Sequence, residues 1–177
     1  MPDHLGREAQ GAATDHVARI IAAWRRERPD LDPGPQGIIG RIHRIAATLT
    51  EELVATYGRY GLGEGEFDVL ATLRRAGEPF EHRPSELAQH TMVTSGAMTK
   101  RIDRLEAAGL VTRRVSATDG RARVVALTGA GRELIDRAFT EHIANEHRLL
   151  ASLSPADRTE LERILAAWLV AMESAGD

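Results

Sequence analysis

The sequence predicts a mainly helical α+β fold that carries one small β-hairpin. Apolar residues recur every three to four positions along most of the 177-residue chain, which is the period of an amphipathic helix. Only 110–115 and 123–127 resemble strands, and the Asp-Gly pair between them is a strong turn signal. The composition, with 42% hydrophobic and 28% charged residues, is that of an ordinary globular protein.

Several classes of protein are excluded by what the sequence lacks. The chain has no cysteine, so it has no disulfide and no cysteine nucleophile or metal ligand, which suits a reducing compartment. It has no apolar stretch of about 18 residues that would span a membrane. Its first residues lack the basic and apolar segments of a secretory signal. We therefore expect a cytoplasmic protein with no membrane partner.

The N-terminal part of the chain predicts two helices. Residues 1–13 show no periodicity, and we expect them to be disordered. A helix is predicted from Asp15, with Asp15 or Thr14 as its cap, until shortly before Pro29, where a proline-rich linker follows. A longer helix is predicted over 36–60, with apolar residues at helical spacing. We assign 14–60 as N-terminal helices.

The middle of the chain, 61–128, has the element order of a winged helix-turn-helix domain. Its glycine and proline residues mark the ends of short elements, and Gly109 is suited to end a helix. The predicted elements are helices over 66–75, 84–90 and 94–108, followed by the hairpin of 110–115 and 123–127. A short helix, a turn, a second helix and a hairpin wing together predict a DNA-binding domain.

Two further helices are predicted at the C-terminal end, over 129–177. Thr128 is suited to cap the first, and the Ser154-Pro155 pair is suited to begin the second. The second helix has a continuous apolar stripe. The terminal helices carry more apolar surface than a winged domain of about 70 residues can cover. The sequence therefore predicts a homodimer that buries these stripes.

The helix over 94–108 has one face suited to the core and one suited to DNA. Its outward face begins with small and hydroxylated residues and continues with basic ones, so its backbone can approach a major groove. Arginines at the hairpin tip are suited to a narrow minor groove. The predicted contacts with double-stranded DNA are Thr94, Ser95, Gly96, Thr99, Lys100, Arg104, Arg121 and Arg123.

Charge is concentrated in the same region. Between Arg83 and Arg123 there are eight Lys and Arg against four Asp and Glu, whereas the whole chain has a net charge of −3. A basic segment in an acidic chain indicates where a nucleic acid would bind. Two alternatives remain open: a winged-helix module that binds proteins without specific DNA binding, and a small-molecule enzyme or carrier.

Three segments resemble the MarR family of bacterial transcription regulators, and the likeness extends over 37–140. They are Pro84-Ser85-Glu86-Leu87-Ala88, the run from Thr94 to Val111, and Asp119-Gly120-Arg121 with Val125-Ala126-Leu127-Thr128. The resemblance implies a homodimer on a pseudo-palindromic operator with half-sites about one helical turn apart. The chain departs from the family pattern at Arg83, where a hydroxyl cap is common, and at Gly120, where a second basic residue is common.

The sequence further resembles the urate-responsive branch of that family, which has an added N-terminal helix with a tryptophan. The resemblance implies a ligand site at Trp24, Asp68, Arg75 and Arg101. It also implies that the N-terminal helices over 14–60 support this ligand site as well as dimerisation. The indole offers a stacking surface and Arg75 a charged donor fork, so the implied ligand is a small anion. Urate is the first candidate and another small organic anion the second. Displacement of an Asp68–Arg101 contact would link the ligand to release of DNA.

The helix over 66–75 agrees with a polar site. A helical wheel places Asp68, Thr72 and Arg75 on one polar face, opposite Phe67 and Leu70. Asp68 and Arg75 lie two turns apart, about 10.5 Å along the axis. At that spacing the two side chains are too far apart to pair easily with each other, but they could lie on either side of a flat anion.

No other pattern indicates chemistry. The most closely spaced histidines in the C-terminal helices, His142 and His147, do not share a helix face, so we expect no metal site. The Gly129-Ala130-Gly131 segment lacks the third glycine and the βαβ setting of a dinucleotide loop. No spacing suggests a nucleophile with its base, and we expect neither an enzyme nor a cofactor.

Overall fold

The structure, a computed structural model, describes residues 15–91, 95–116, 120 and 122–175. The predicted disorder of 1–13 concerns residues outside this part. In chain order the elements are α1 (His16–Glu27), α2 (Gln36–Gly58), α3 (Glu64–Arg75), β1 (Glu81–His82), α4 (Pro84–His90), α5 (Ser95–Ala107), β2 (Val111–Val115), β3 (Arg123–Leu127), α6 (Gly129–Leu149) and α7 (Pro155–Ser174). The predicted fold class, mainly α with a small hairpin wing, is confirmed. None of the described helices is long and apolar enough to cross a bilayer.

The chain divides into two compact units, and the boundary falls within α2, between Thr50 and Glu51. In the N-terminal unit, α1 packs closely against the first half of α2 because two glycines leave room for it. A Cβ on Gly40 would lie 3.3 Å from Val17, and a Cβ on Gly37 would lie 3.5 Å from Ile21. Asp15 caps α1, as predicted, by accepting a 2.9 Å hydrogen bond from the amide of Ala18.

The second unit holds the hydrophobic core, which is built from the apolar stripes of α3 to α6. Each helix contributes side chains that are almost fully buried, as amphipathic helices around one core must. The fully buried set includes Leu70, Leu73, Leu87, Ile102, Leu105 and Ile135. α6 begins against the chain that enters the sheet: a Cβ on Gly131 would lie only 1.9 Å from the carbonyl oxygen of Leu110.

The sheet has three antiparallel strands in the order β1-β3-β2, where the sequence predicted two. The predicted hairpin pairs Val111 with Leu127 and Val115 with Arg123. The additional strand β1 has only two residues, and it pairs with β3 through Glu81 opposite Ala126. A two-residue strand has no alternating pattern of its own, so nothing local in the sequence signals it.

The start of α4 compensates for the missing hydroxyl cap at Arg83. The Glu86 carboxylate reaches back one turn and accepts a 2.9 Å hydrogen bond from the amide of Arg83. This bond, supported by the contact with His82, holds the pKa of Glu86 below its ordinary value. The first turn of the helix-turn-helix is therefore capped from the third helical position.

The last helix, α7, has no buried residue although it is 20 residues long. Its cap is as predicted, since the Ser154 hydroxyl accepts a hydrogen bond from the amide of Asp157. Its apolar stripe is left partly open to solvent in the single chain: Leu161, Ile164, Leu165 and Leu169 are 41 to 56% exposed. A helix in that state derives little stability from the chain that carries it.

Candidate functional site

Helix α5 presents the amphipathic arrangement that the sequence predicted. Met98, Ile102 and Leu105 face the core and are at most 2% exposed. Thr99 and Lys100 are exposed. Ser95 and Gly96 begin the helix, but the structure describes only their backbone. The predicted contacts Thr94 and Arg121 lie wholly outside the described residues.

Arg104 is exposed but already has a partner on α3. Its guanidinium lies 2.5 to 2.6 Å from Oε1 of Glu66, while 63% of its side chain remains open to solvent. The other carboxylate oxygen of Glu66 accepts a hydrogen bond from the amide of Gly63 and so caps α3. A single carboxylate therefore caps α3 and holds a predicted DNA contact of α5 in place.

The wing is fixed to the protein by other arginines. Arg113 on β2 pairs with both Asp103 and Glu106 of α5, and its amide donates a 2.9 Å hydrogen bond to Glu106. This amide bond, with the guanidinium contact, lowers the pKa of Glu106. Arg114 pairs with Glu81 at 2.8 Å. Two of the basic residues counted in the sequence therefore hold the wing in position, whereas Arg123 at the start of β3 is exposed.

A cavity of about 500 Å³ lies in the second unit, lined by residues of α3 and α5 together with the ends of α2 and α4 and one side of α6. Three of the four predicted ligand residues, Asp68, Arg75 and Arg101, line it. The structure thus brings together side chains of α3 and α5. The two that are farthest apart in the sequence, Asp68 and Arg101, are separated by 33 positions.

The two arginines of the cavity are held differently. Arg75 donates a 2.9 Å hydrogen bond to the backbone carbonyl of His90 at the end of α4. Arg101 lies against the backbone of α3 at Gly65, where a Cβ would be only 1.9 Å from its Nε atom. Among the described residues, Nη1 of Arg101 has no hydrogen-bond partner although it is buried. A buried donor without a partner is costly, and an anionic oxygen would satisfy it.

The lining of the cavity also contains a group of aromatic side chains, which the sequence did not predict. The rings of Tyr57 and Phe67 stack with centroids 4.0 Å apart, and Phe139 lies nearly parallel to Phe67 with centroids 6.5 Å apart. The Tyr57 hydroxyl lies 3.3 Å from Nδ1 of His142. Burial raises the pKa of Tyr57 to about 12, with nearby Glu146 adding to the effect, so the phenol stays protonated at neutral pH.

The predicted polar face of α3 is partly wrong. Thr72 is 1% exposed and does not line the cavity; Ala71 does instead. Phe67, which the helical wheel placed on the far side, contributes to the cavity wall. The face toward the cavity is rotated because the helix is covered on more than one side, so a wheel with a single polar face does not describe it.

Trp24, the fourth predicted ligand residue, belongs to the N-terminal unit. It is 47% exposed and lines a groove of about 240 Å³ together with Arg28, Leu31 and the prolines of the following linker. Its role at a ligand site stays a prediction. In the described ranges no three His, Asp or Glu side chains are grouped as metal ligands would be.

Several transcription regulators resemble the chain in sequence and fold. A sequence model of the MarR family matches residues 60–122. The HTH-type transcriptional regulator PecS of Dickeya dadantii (strain 3937) is 38% identical over 149 residues, which cover 84% of this chain and 90% of PecS. AbsC, a MarR family transcriptional regulator from Streptomyces coelicolor, has a TM-score of 0.69 and 28% identity over 81% of this chain and 97% of AbsC.

A third relative has been solved with its ligands. The MarR family protein Rv2887 of Mycobacterium tuberculosis, in complex with p-aminosalicylic acid, has a TM-score of 0.58 and 31% identity, covering 74% of this chain and 97% of that one. The same protein has been solved in complex with DNA.

Proposed function

The chain belongs to the MarR family of transcription regulators, and on that premise we propose that it is a repressor which a small anionic ligand releases from its operator. The prediction that the chain is not an enzyme is confirmed, because its homologues are transcription regulators. The observation that carries the proposal is the cavity with Arg75 and Arg101, because Arg101 belongs to the same helix as five of the eight predicted DNA contacts.

In the proposed complex with DNA, α5 enters the major groove and the wing lies over the adjacent minor groove. The exposure of Thr99, Lys100 and Arg104 on one helix supports this arrangement, as does Arg123 on the wing. The pairing of Arg113 with α5 supports it further, since helix and wing would then meet the DNA as one rigid surface. The DNA complex of Rv2887 is a precedent in a relative.

The proposed assembly is a homodimer in which a second copy covers the stripe of α7. A 20-residue helix without a buried residue is unstable as part of an isolated chain, and a two-fold partner would bury it. The division into a DNA-binding part over 61–128 and dimerisation helices over 14–60 and 129–177 is part of this proposal. A two-fold dimer would meet a pseudo-palindromic operator with one winged domain in each half-site.

The proposed ligand is urate, with another small organic anion as the second candidate. The cavity volume of about 500 Å³ falls within the usual range for small-molecule sites, about 300 to 1,000 Å³. The cavity lining offers both guanidinium groups and aromatic rings, which together suit a flat, negatively charged ring. The p-aminosalicylic acid complex of Rv2887 shows that a relative takes a flat aromatic acid.

The experiment that tests the proposal is a fluorescence anisotropy titration of the protein onto DNA from upstream of its own gene. We expect specific, salt-dependent binding that weakens when urate is added. Arg75→Ala should keep DNA binding but lose most of the response to urate. The exposed Arg137, which does not line the cavity, supplies the matched control Arg137→Ala.

The possible results of that titration separate the candidates. Specific DNA binding that does not change when urate is added would support a transcription regulator whose ligand is another organic anion. Absence of specific DNA binding at moderate salt would contradict the repressor and favour a protein-interaction module.

A further inference from the structure

Gly65 is the second residue of α3. The guanidinium group of Arg101 occupies the space that a side chain at this position would fill. A Cβ built on Gly65 would lie 1.9 Å from Nε, 2.2 Å from Cζ and 2.7 Å from Cδ of Arg101. Ordinary van der Waals contacts of a Cβ begin at 3.4 Å, so any larger residue would collide with three consecutive atoms of the arginine. Gly65 and Arg101 therefore fit together only because position 65 has no side chain.

No backbone requirement explains the glycine. The glycines with positive φ in the described chain are Gly61, Gly77 and Gly109, and Gly65 is not among them. Alanine is more favourable than glycine within a helix, so the local sequence alone would favour a larger residue. Gly58, also helical, shows the contrast, because a Cβ there would meet nothing within 4 Å.

The close approach fixes Arg101 by packing. Nη1 of Arg101 is buried without a hydrogen-bond partner in the described part of the chain, so contact with the Gly65 backbone does not supply its missing acceptor. Helices α3 and α5 also meet at Glu66, one residue further on, through Arg104. The start of α3 is thus where α5 is held at two successive positions.

We propose that Gly65 is a positioning residue, whose missing Cβ forms the seat that places the Arg101 guanidinium at the wall of the cavity. The seat presents Arg101 to an anion. The effect on ligand binding rests on the proposed function, whereas the seat itself does not.

The test compares Gly65→Ala with the matched control Gly58→Ala, in the full chain, with urate as the probe. Alanine at position 65 must drive the guanidinium from its seat, and loss of one charge-assisted hydrogen bond weakens binding roughly tenfold or more. We therefore expect Gly65→Ala to bind urate at least about tenfold more weakly, and Gly58→Ala to bind like the unmodified protein. Unchanged urate affinity in Gly65→Ala would overturn the proposal.

A double variant shows whether the effect passes through Arg101. In the background of Arg101→Ala no guanidinium occupies the seat, so adding Gly65→Ala should not weaken urate binding further. If Gly65→Ala alone does not fold, the double variant should fold as well as Arg101→Ala. A double variant that loses further affinity, or that remains unfolded, would contradict the seat.

A chemical probe separates failure of the seat from failure of the ligand. Phenylglyoxal modifies accessible arginines, and mass spectrometry gives its rate at each position. Arg101 should react faster in Gly65→Ala than in the unmodified protein or in Gly58→Ala. If the unmodified protein does not bind urate, the proposed ligand is wrong. The modification rate of Arg101 still tests whether Gly65 holds the guanidinium in its seat. An equal rate in all three proteins would refute it.

Discussion

Replacing Glu66 by glutamine would test whether Arg104 is held away from DNA by the protein itself. In the free chain both Nε and Nη2 of Arg104 contact one carboxylate oxygen of Glu66. A DNA phosphate would have to take the guanidinium from that carboxylate. Glutamine keeps an oxygen for the Gly63 amide, which donates to Glu66 at 2.8 Å, so the N-terminus of α3 stays capped.

The expected gain follows from the exposure of the pair. The Arg104 side chain is 63% exposed and that of Glu66 is 15% exposed. An ion pair open to solvent on one side contributes about 0.2 to 1 kcal/mol. Removing the competition should therefore strengthen DNA binding by a factor of up to about five.

The assay is fluorescence anisotropy on operator DNA at several salt concentrations, with Glu66→Gln, Arg104→Gln and the double variant. If Arg104 contacts a phosphate, Arg104→Gln should weaken binding and reduce the salt slope by about 1. The gain from Glu66→Gln should then vanish in the double variant, because no guanidinium is left to release. Weaker binding by Glu66→Gln, or an equal gain in both backgrounds, would refute the competition.

Three further predictions concern stability and assembly. Leu165→Asp places a charge on the apolar stripe of α7 and should convert the proposed homodimer to monomers in size-exclusion chromatography with light scattering; a dimeric variant would contradict the proposed interface. Leu70→Ala removes a fully buried side chain and should lower the free energy of unfolding by about 2 to 5 kcal/mol in urea titrations, whereas a loss within experimental error would contradict its place in the core. Because burial raises the pKa of Tyr57 from 10.0 to about 12, its contribution to stability is complete below pH 10 and is lost as the pH rises toward 12. Tyr57→Phe should lack that alkaline loss in unfolding titrations, and an undiminished loss would assign it to other groups.

Local signals in the sequence were enough for the helices and the hairpin. Gly109 is suited to end a helix, and in the structure it lies two residues after the end of α5 with a φ of +70°. The predicted caps at Asp15 and Thr128 both accept amide hydrogen bonds. Each of these features depends on neighbours within a few residues, which is the range over which spacing carries information.

Features that depend on distant partners were missed. Tyr57 is one of the apolar residues at helical spacing in the helix predicted over 36–60, and only the packing of α6 beside the end of α2 places it with Phe139 in the lining of a cavity. Arg113 was counted as surplus positive charge, but two carboxylates of α5 neutralise it. Nothing in the local sequence distinguishes Gly65 from other helical glycines. The group that leaves no room for a side chain at Gly65 is the guanidinium of Arg101, 36 positions later in the chain.

The central claim is that ligand in the cavity and DNA on α5 oppose each other, and isothermal titration of urate tests it most directly. Urate would be titrated into the free protein and into the protein saturated with operator DNA. By linkage, operator binding must weaken urate binding by the same factor as urate weakens operator binding, typically about 5- to 150-fold. Equal urate affinity for the free and the DNA-bound protein would contradict the claim.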